Sequence, residues 1–333
     1  MIECIFTIDY EIYGNGEGSL AELVYEPAER LMAIFRKRNA RFVAFVEIAE
    51  LEMIEAKGTD QAIDLVKRQI RDFHREGFEL GLHLHPQWCN ARFRNGRWLL
   101  DYSEYNLCTL PRDRIVQIVD RSLSYLGYVL DASNFTPLSF RAGNWLLQPT
   151  ETVAAVLAGK GIKIDSSVFK GGVQGNYRLD YRPALKNRYY WRFQSDVNLP
   201  DPNGALLEIP IFTKMVPWWN MLTAKRVDLQ RKSLVSSLSS RERLKRLWDY
   251  FRLWYPLKFD FCRMTVNELS SMTDRVIRED LKNPSSYKPM VAIGHTKDLV
   301  DFGSVEYLLS YLKERSINVS TFDGVYAKCQ DWV

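Results

Sequence analysis

Two histidines stand two residues apart in Glu79-Leu80-Gly81-Leu82-His83-Leu84-His85-Pro86, and the 333-residue chain has only four. Leu80, Leu82 and Leu84 alternate with Gly81, His83 and His85, which is the period of a β-strand. Residues i and i+2 of a strand share a side, so both imidazoles aim at one object. Pro86 has no N–H to donate and ends the ladder just beyond them. Two imidazoles converging from a strand end are half of a metal site. A second i, i+2 pair occurs in Thr7-Ile8-Asp9-Tyr10-Glu11, where Asp9 and Glu11 put two carboxylates on one side of another strand. Two more polar clusters follow short apolar runs: Arg141-Ala142-Gly143-Asn144-Trp145 after Ser139-Phe140, and His295-Thr296-Lys297 after Ala292-Ile293-Gly294. Three of the four histidines therefore stand at strand ends; His74, on the polar part of a helix, is the exception.

These stretches are far apart in the chain, and the elements between them indicate how they meet. Strands are expected at 2–10, 41–47, 78–85, 139–141, 162–165, 206–210, 290–294 and 318–322, from their apolar and β-branched runs. Helical spacing of apolar residues marks 21–39, 59–75, 113–127, 150–160 and 305–315. Alternation of this kind argues for a parallel sheet, and about eight strands favour a barrel over an open sheet. In a parallel barrel the carboxyl ends of the strands converge on one face, where active sites lie. The Gly-rich turn Gly14-Asn15-Gly16-Glu17-Gly18 lacks the spacing of a dinucleotide fingerprint, and Glu11 and Glu17 would repel a pyrophosphate. The alternation breaks at about 212–262, a basic and aromatic stretch with Trp218-Trp219, Lys225-Arg226 and an amphipathic run through Leu244, Leu247, Trp248, Phe251 and Trp254. It reads as a helical insertion on one barrel domain spanning 1–333. Its basic face either lies on an anionic membrane surface or is simply solvated while its apolar stripe packs on the barrel.

Bulk composition narrows the class. A hydrophobic share of 46% with 26% charged residues is that of an ordinary globular chain, and a net charge of +4 with no dense basic stripe does not suggest a nucleic-acid partner. The five cysteines are scattered without CxxC spacing, so neither a disulfide framework nor a thiolate zinc site is indicated. The N-terminal residues lack the pattern of a secretory signal, and no run reaches the ~18 apolar residues of a membrane span. A reduced, cytoplasmic setting is the expectation.

The strand-end motifs resemble those of the NodB-type polysaccharide deacetylases, the family four carbohydrate esterases, over most of the chain apart from the insertion. That family reads Thr-Phe-Asp-Asp-Gly at its first strand, and Thr7-Ile8-Asp9-Tyr10-Glu11 stands here. Its His-x-x-x-His-Pro is matched by His83-Leu84-His85-Pro86, its arginine motif by Arg141, and its late histidine by His295. The departures are a Glu displaced by one position and a histidine pair two residues closer, and both turn the ligands into i, i+2 strand pairs. The resemblance implies a distorted parallel (β/α) barrel of seven or eight strands, a divalent metal such as Zn2+, and removal of N-acetyl groups from sugars.

Residue roles then follow as expectations. Glu11, His83 and His85 supply N and O ligands of the kind a catalytic zinc takes. Asp9 serves as general base, Arg141 orients it through a bidentate pair, and His295 protonates the departing amine. Asp165, at the end of a strand, either fixes the His295 tautomer or merely starts a turn. Trp88, Asn144 and Trp145 either line a sugar subsite or pack. The substrate would be an N-acetylated saccharide or a lipid-linked precursor, in biosynthesis of a surface glycan. Two other readings stay open: a metal hydrolase of another amide, a cyclic imide or an O-acetyl ester, and a degenerate protein that only binds glycan.

Overall fold

The computed structural model describes residues 1–233 and 253–329. The first half alternates strand and helix: β1 (Ile2–Tyr10), α1 (Glu26–Lys37), β2 (Val43–Glu47), α2 (Ile48–Lys57), α3 (Ile63–Arg75) and β3 (Glu79–Leu84). A small hairpin, β4 (Arg92–Arg94) with β5 (Arg97–Leu99), precedes α4 (Arg112–Leu130), β6 (Ser139–Ala142), α5 (Glu151–Gly159) and β7 (Ile164–Asp165). Short strands follow: β8 (Val173–Gln174), β9 (Leu179–Asp180), β10 (Trp191–Phe193) and β11 (Leu206–Glu208). The rest is β12 (Thr213–Pro217), α6 (Ala224–Ser233), β13 (Trp254–Lys258), α7 (Val266–Lys282), β14 (Lys288–His295), α8 (Phe302–Glu314), β15 (Asn318–Ser320) and α9 (Phe322–Tyr326).

The main sheet runs β10-β11-β7-β6-β3-β2-β1-β14, and every pairing in it is parallel except β10 with β11. β14 covers one edge of β1 along Ile2–Asp9, while β2 and β15 share the other edge at Thr7–Tyr10 and Glu3–Ile5. The sheet curls, and single parallel bridges close the gap: Ile211, just past β11, pairs with Val291 of β14, and Asp260 pairs with Ile293. Phe212 N–H donates to the Val291 carbonyl and Phe261 N–H to the Ile293 carbonyl, at 3.0 Å each. The result is the expected distorted parallel barrel. Central strands of such a sheet are covered on both faces, which is why β14 is buried over all eight residues and β2 over all five. Aromatic edge contacts fill the space under α1 and α3, with Phe35 against Phe6 and Phe42, and Phe73 against Tyr10 and Phe42.

Several expected boundaries move, for local reasons. The helix expected at 59–75 begins at Ile63, and a separate helix, α2, precedes it. Ile-Ala-Glu-Leu-Glu-Met-Ile carries apolar residues on nearly every side, so it offers no helical stripe to read; α2 is marked instead by the Glu47 side chain accepting from Glu50 N–H at 3.3 Å. The strand expected at 318–322 stops at Ser320, and Phe322 opens α9. α7 was not anticipated, although Thr265-x-x-Glu268 is a capping box: the hydroxyl accepts from Glu268 N–H at 3.3 Å and the carboxylate from Thr265 N–H at 2.9 Å.

The insertion divides in the same way. Its described part is an antiparallel ribbon, β12 with β13, followed on one side by α6. Phe259 to Phe261, inside the expected insertion, belong to the barrel through β14. Lys225 and Arg226 are not a free basic face: Lys225 Nζ donates to Asp301 at 2.8 Å, and Arg226 pairs with Glu268 at 2.6 Å. The amphipathic run from Leu244 to Phe251 lies outside the described residues. Replacing Thr265 with Ala removes one half of the capping box and should lower the unfolding free energy by about 1 kcal/mol, read from a urea titration.

Candidate active site

β1, β3, β6 and β14 deliver the polar strand ends to one place. Registration makes Asp9 a neighbour of His295, and His83 a neighbour of both Glu47 and Arg141. The His83 and His85 rings lie edge to face with centroids 4.9 Å apart. Only His83 is on β3 itself; His85 is extended at φ −106° and caps the one-turn helix Pro86–Trp88. The i, i+2 argument survives because the extended backbone continues through His85.

Glu11 answers the two histidines. Its Oε2 lies 3.0 Å from His85 Nε2 and 3.5 Å from His83 Nε2. His83 Nδ1 donates to the Arg141 carbonyl at 2.8 Å, which turns Nε2 toward Glu11 as a buried atom with no hydrogen-bond partner. A buried polar atom without a partner is costly unless something fills the role. Ligand atoms of Glu11, His83 and His85 all lie within 4.8 Å of one another, and those of Asp9, Glu11 and His295 do so too. Two neutral-capable imidazoles and a carboxylate suit a divalent cation such as zinc. The residues present fit the metal that the sequence led us to expect.

Asp9 stands beside this set. Arg141, fully buried, donates Nη1–H to Asp9 Oδ1 at 2.6 Å, Nη2–H to Thr7 Oγ1 at 3.0 Å, and Nε–H to the Ser166 carbonyl at 2.9 Å. Its planar cation also lies 4.1 Å over the Phe45 ring. The expected bidentate pair is therefore a single-pronged one, because the second nitrogen serves Thr7 and Ser166. That leaves Asp9 Oδ2 free of Arg141, 3.3 Å from His295 Nε2. Burial pushes the Asp9 carboxyl up, but Arg141, His83 and His295 outweigh it and hold the group below its ordinary range. His295 is lowered by its burial, against the pull of Asp9 and Asp298, so it rests as neutral imidazole. His83 behaves in the opposite way: burial would depress it, but Asp9, Glu11 and Glu47 push it up to about 9.

Asp165 does not reach His295. Its carboxylate accepts from Ser167 Oγ at 2.7 Å and Ser167 N–H at 3.0 Å, and its strand neighbour is Glu208. The turn-starting alternative is the one realised, because Ser167 stands two residues on, the spacing at which an Asp side chain accepts from the following backbone N–H. The carboxylate within reach of His295 Nδ1 is Asp298, at 3.9 Å. Trp88 is likewise not at a subsite: it is 1% exposed and packs edge-on against Trp98. Asn144 and Trp145 are at the site, since Asn144 Nδ2 lies 3.2 Å from His85 Nδ1 and Trp145 stands perpendicular to His295 with centroids 6.0 Å apart. Both occupy left-handed backbone, at φ 54° and 60°, an uncommon state for non-glycine residues that clusters at functional sites. Gly143 before them cannot carry a side chain: a Cβ there would sit 2.4 Å from the Leu84 carbonyl and 2.8 Å from His85 Nδ1.

Three site residues escaped the sequence reading. Lys297 Nζ donates to Glu11 Oε1 at 2.7 Å, and with the histidines it holds that carboxyl far below its usual range despite burial. Its signal was available, two residues after His295. Glu47 accepts from His85 N–H at 2.6 Å and so fixes the strand end that carries the imidazole. Lys258, on β13, lies 3.2 Å over the Trp145 ring. It comes from the insertion, where no strand-end pattern marks it.

No family model and no curated protein matches the sequence. Solved structures do match in fold. A Mycobacterium smegmatis protein assigned as a polysaccharide deacetylase superposes with a TM-score of 0.55 at 14% identity, covering 100% of this chain and 92% of that one. A Pseudomonas aeruginosa protein with the same assignment gives 0.50 at 11% identity, over 98% and 90%. PuuE allantoinase also gives 0.50 at 11% identity, over 99% and 92%. The chain thus has the barrel fold of the polysaccharide deacetylases.

Arg141→Met would leave Asp9 as a buried charge without its partner. It should destabilise the protein by about 3–5 kcal/mol, and adding Asp9→Asn should restore part of the loss, both measured by chemical denaturation.

Proposed function

We propose that the protein is a metal-dependent hydrolase that removes an N-acetyl group from a sugar, in the making of a surface glycan. The observation that carries this reading is the meeting of Glu11, His83 and His85 with the Asp9–Arg141 pair and His295 at one end of the barrel. Glu11, His83 and His85 would hold the metal, whose chemistry when bound is to polarise the acyl carbonyl and acidify water. Everything else follows from the chain. Arg141 keeps Asp9 ionised, and the free Oδ2 can take a proton from the attacking water. The neutral His295 lies next to that oxygen, placed to receive the proton and give it to the amine as the C–N bond breaks. Lys297 and Glu47 keep Glu11 and His85 in place.

The matched allantoinase makes a cyclic-amide substrate a specific rival, since that fold likeness is as strong as one of the deacetylase matches. A panel of N-acetylated sugars, O-acetylated sugars and allantoin, with product release as readout, separates the readings. Acetate should be released from an N-acetyl sugar. Asp9→Asn should keep the metal and lose ~10²-fold or more in turnover, while His83→Ala should lose metal and turnover together. Full turnover in Asp9→Asn would remove it from the role of base. Glycan binding by metal-free protein with no turnover at all would favour the binding-only reading.

We further propose that the protein works inside the cell and that the insertion meets an anionic membrane surface bearing a lipid-linked sugar. Support comes from the exposed end of the β12–β13 ribbon, where Trp218, Trp219, Leu222, Leu253 and Trp254 are 38–71% exposed. None of the described helices is long and apolar enough to cross a membrane. The variant Trp218→Ser/Trp219→Ser/Trp254→Ser should pellet less with vesicles containing anionic lipid than the unmodified protein. Equal pelleting would sink the membrane contact.

A further inference from the structure

The charged groups around His295 pair off with one exception. Arg141 is matched by Asp9, Lys297 by Glu11, and Arg263 by Asp298, with Asp260 behind it at 3.8 Å. Lys258 is left over. Among the described residues, no carboxylate, carbonyl or hydroxyl lies within hydrogen-bond distance of its Nζ, and its only close partners are the faces of Trp145, at 3.2 Å, and Phe169, at 4.8 Å. Burial and the nearby Arg263 push the ammonium down to about 7, against the attraction of Asp260 and Asp9. Lys258 is half-buried, so its ammonium rests on the aromatic faces on one side and is open to solvent, and to a ligand, on the other.

The position of this cation is fixed from several sides. Lys258 closes β13 opposite Thr213, and the next residue, Phe259, donates its N–H to the Phe212 carbonyl at 2.8 Å. Trp145 is held in its unfavourable left-handed backbone by Tyr181 Oη, which donates to its carbonyl at 2.7 Å. One edge of the indole neighbourhood is His295 and its face carries Lys258, so the ammonium and the proton-transferring imidazole share one aromatic wall. An unpaired cation beside the reacting groups is what a site for an anionic substrate contains.

We propose that Lys258, laid across Trp145 beside His295, binds a carboxylate or phosphate that the sugar substrate carries close to its acylated nitrogen. The scissile amide in this statement rests on the deacetylase reading; the anion subsite does not. A neutral N-acetylhexosamine leaves Lys258 without a partner, whereas an acidic or phosphorylated one supplies the counter-ion that the fold omits.

The test has two readouts. Calorimetric titration of the full chain with N-acetylglucosamine, N-acetylglucosamine 1-phosphate, N-acetylmuramic acid and inorganic phosphate reads binding alone. The anionic sugars should bind about tenfold or more tighter than the neutral one. Lys258→Met should erase that ratio, and Lys258→Arg should keep most of it. Comparing the phosphate with the carboxylate sugar tells which anion the subsite takes. Equal binding of neutral and anionic sugars by the unmodified protein overturns the proposal without any variant, and so does a ratio that survives in Lys258→Met. Acetate release from the same sugars is the second readout. A binding ratio with no acetate released overturns the deacetylase reading and leaves the subsite standing, while acetate release with no ratio does the reverse.

Discussion

A guanidinium with no exposed surface ties the barrel end together. Arg141 reaches from β6 to Asp9 and Thr7 on β1 and to Ser166 beyond β7, while Thr7 Oγ1 passes the chain of bonds on to the Ala292 carbonyl of β14. Taking such a charge out of water costs several kcal/mol, and only a complete set of partners compensates. Each partner is therefore constrained as well. Phe45 must lie flat beneath the cation, and Gly81 must lack a side chain, because a Cβ there would come within 2.5 Å of the Phe45 ring. The ionised state of Asp9 is a by-product of this arrangement.

The same economy of elements shapes the two groups of the site. Glu11, His83 and His85 form a compact N and O set, with Lys297 and Glu47 behind them. Asp9 and His295 form a second pair beside it, and Glu11 belongs to both groups, since its ligand atoms lie within 4.8 Å of those of Asp9 and His295 as well. Because Arg141 engages just one oxygen of Asp9, the other is presented to His295. A bidentate grip would have used both.

Much of this was legible in the chain. Period-2 alternation around His83 and His85 and around Asp9 and Glu11 is a local property, and local sterics dictate it, so four strand ends and their convergence are legible in the sequence alone. The helix α2 was not legible, since a segment buried on nearly every side has no polar face to betray its period. α7 was legible in principle through Thr265 and Glu268, a pairing signal rather than a periodic one.

The sequence by itself determined which side chains share a strand face, and hence that two imidazoles and two carboxylates would meet at the mouth of a parallel barrel. Only the tertiary structure decided which groups touch. Trp88 went to the core and Asp165 to Ser167, while Lys258 arrived from the insertion to lie on Trp145. The reason is physical: facing within an element is set by backbone geometry over two or three residues. Contact between elements is set by how strands of unequal length register and how an inserted ribbon folds back, which no short spacing encodes.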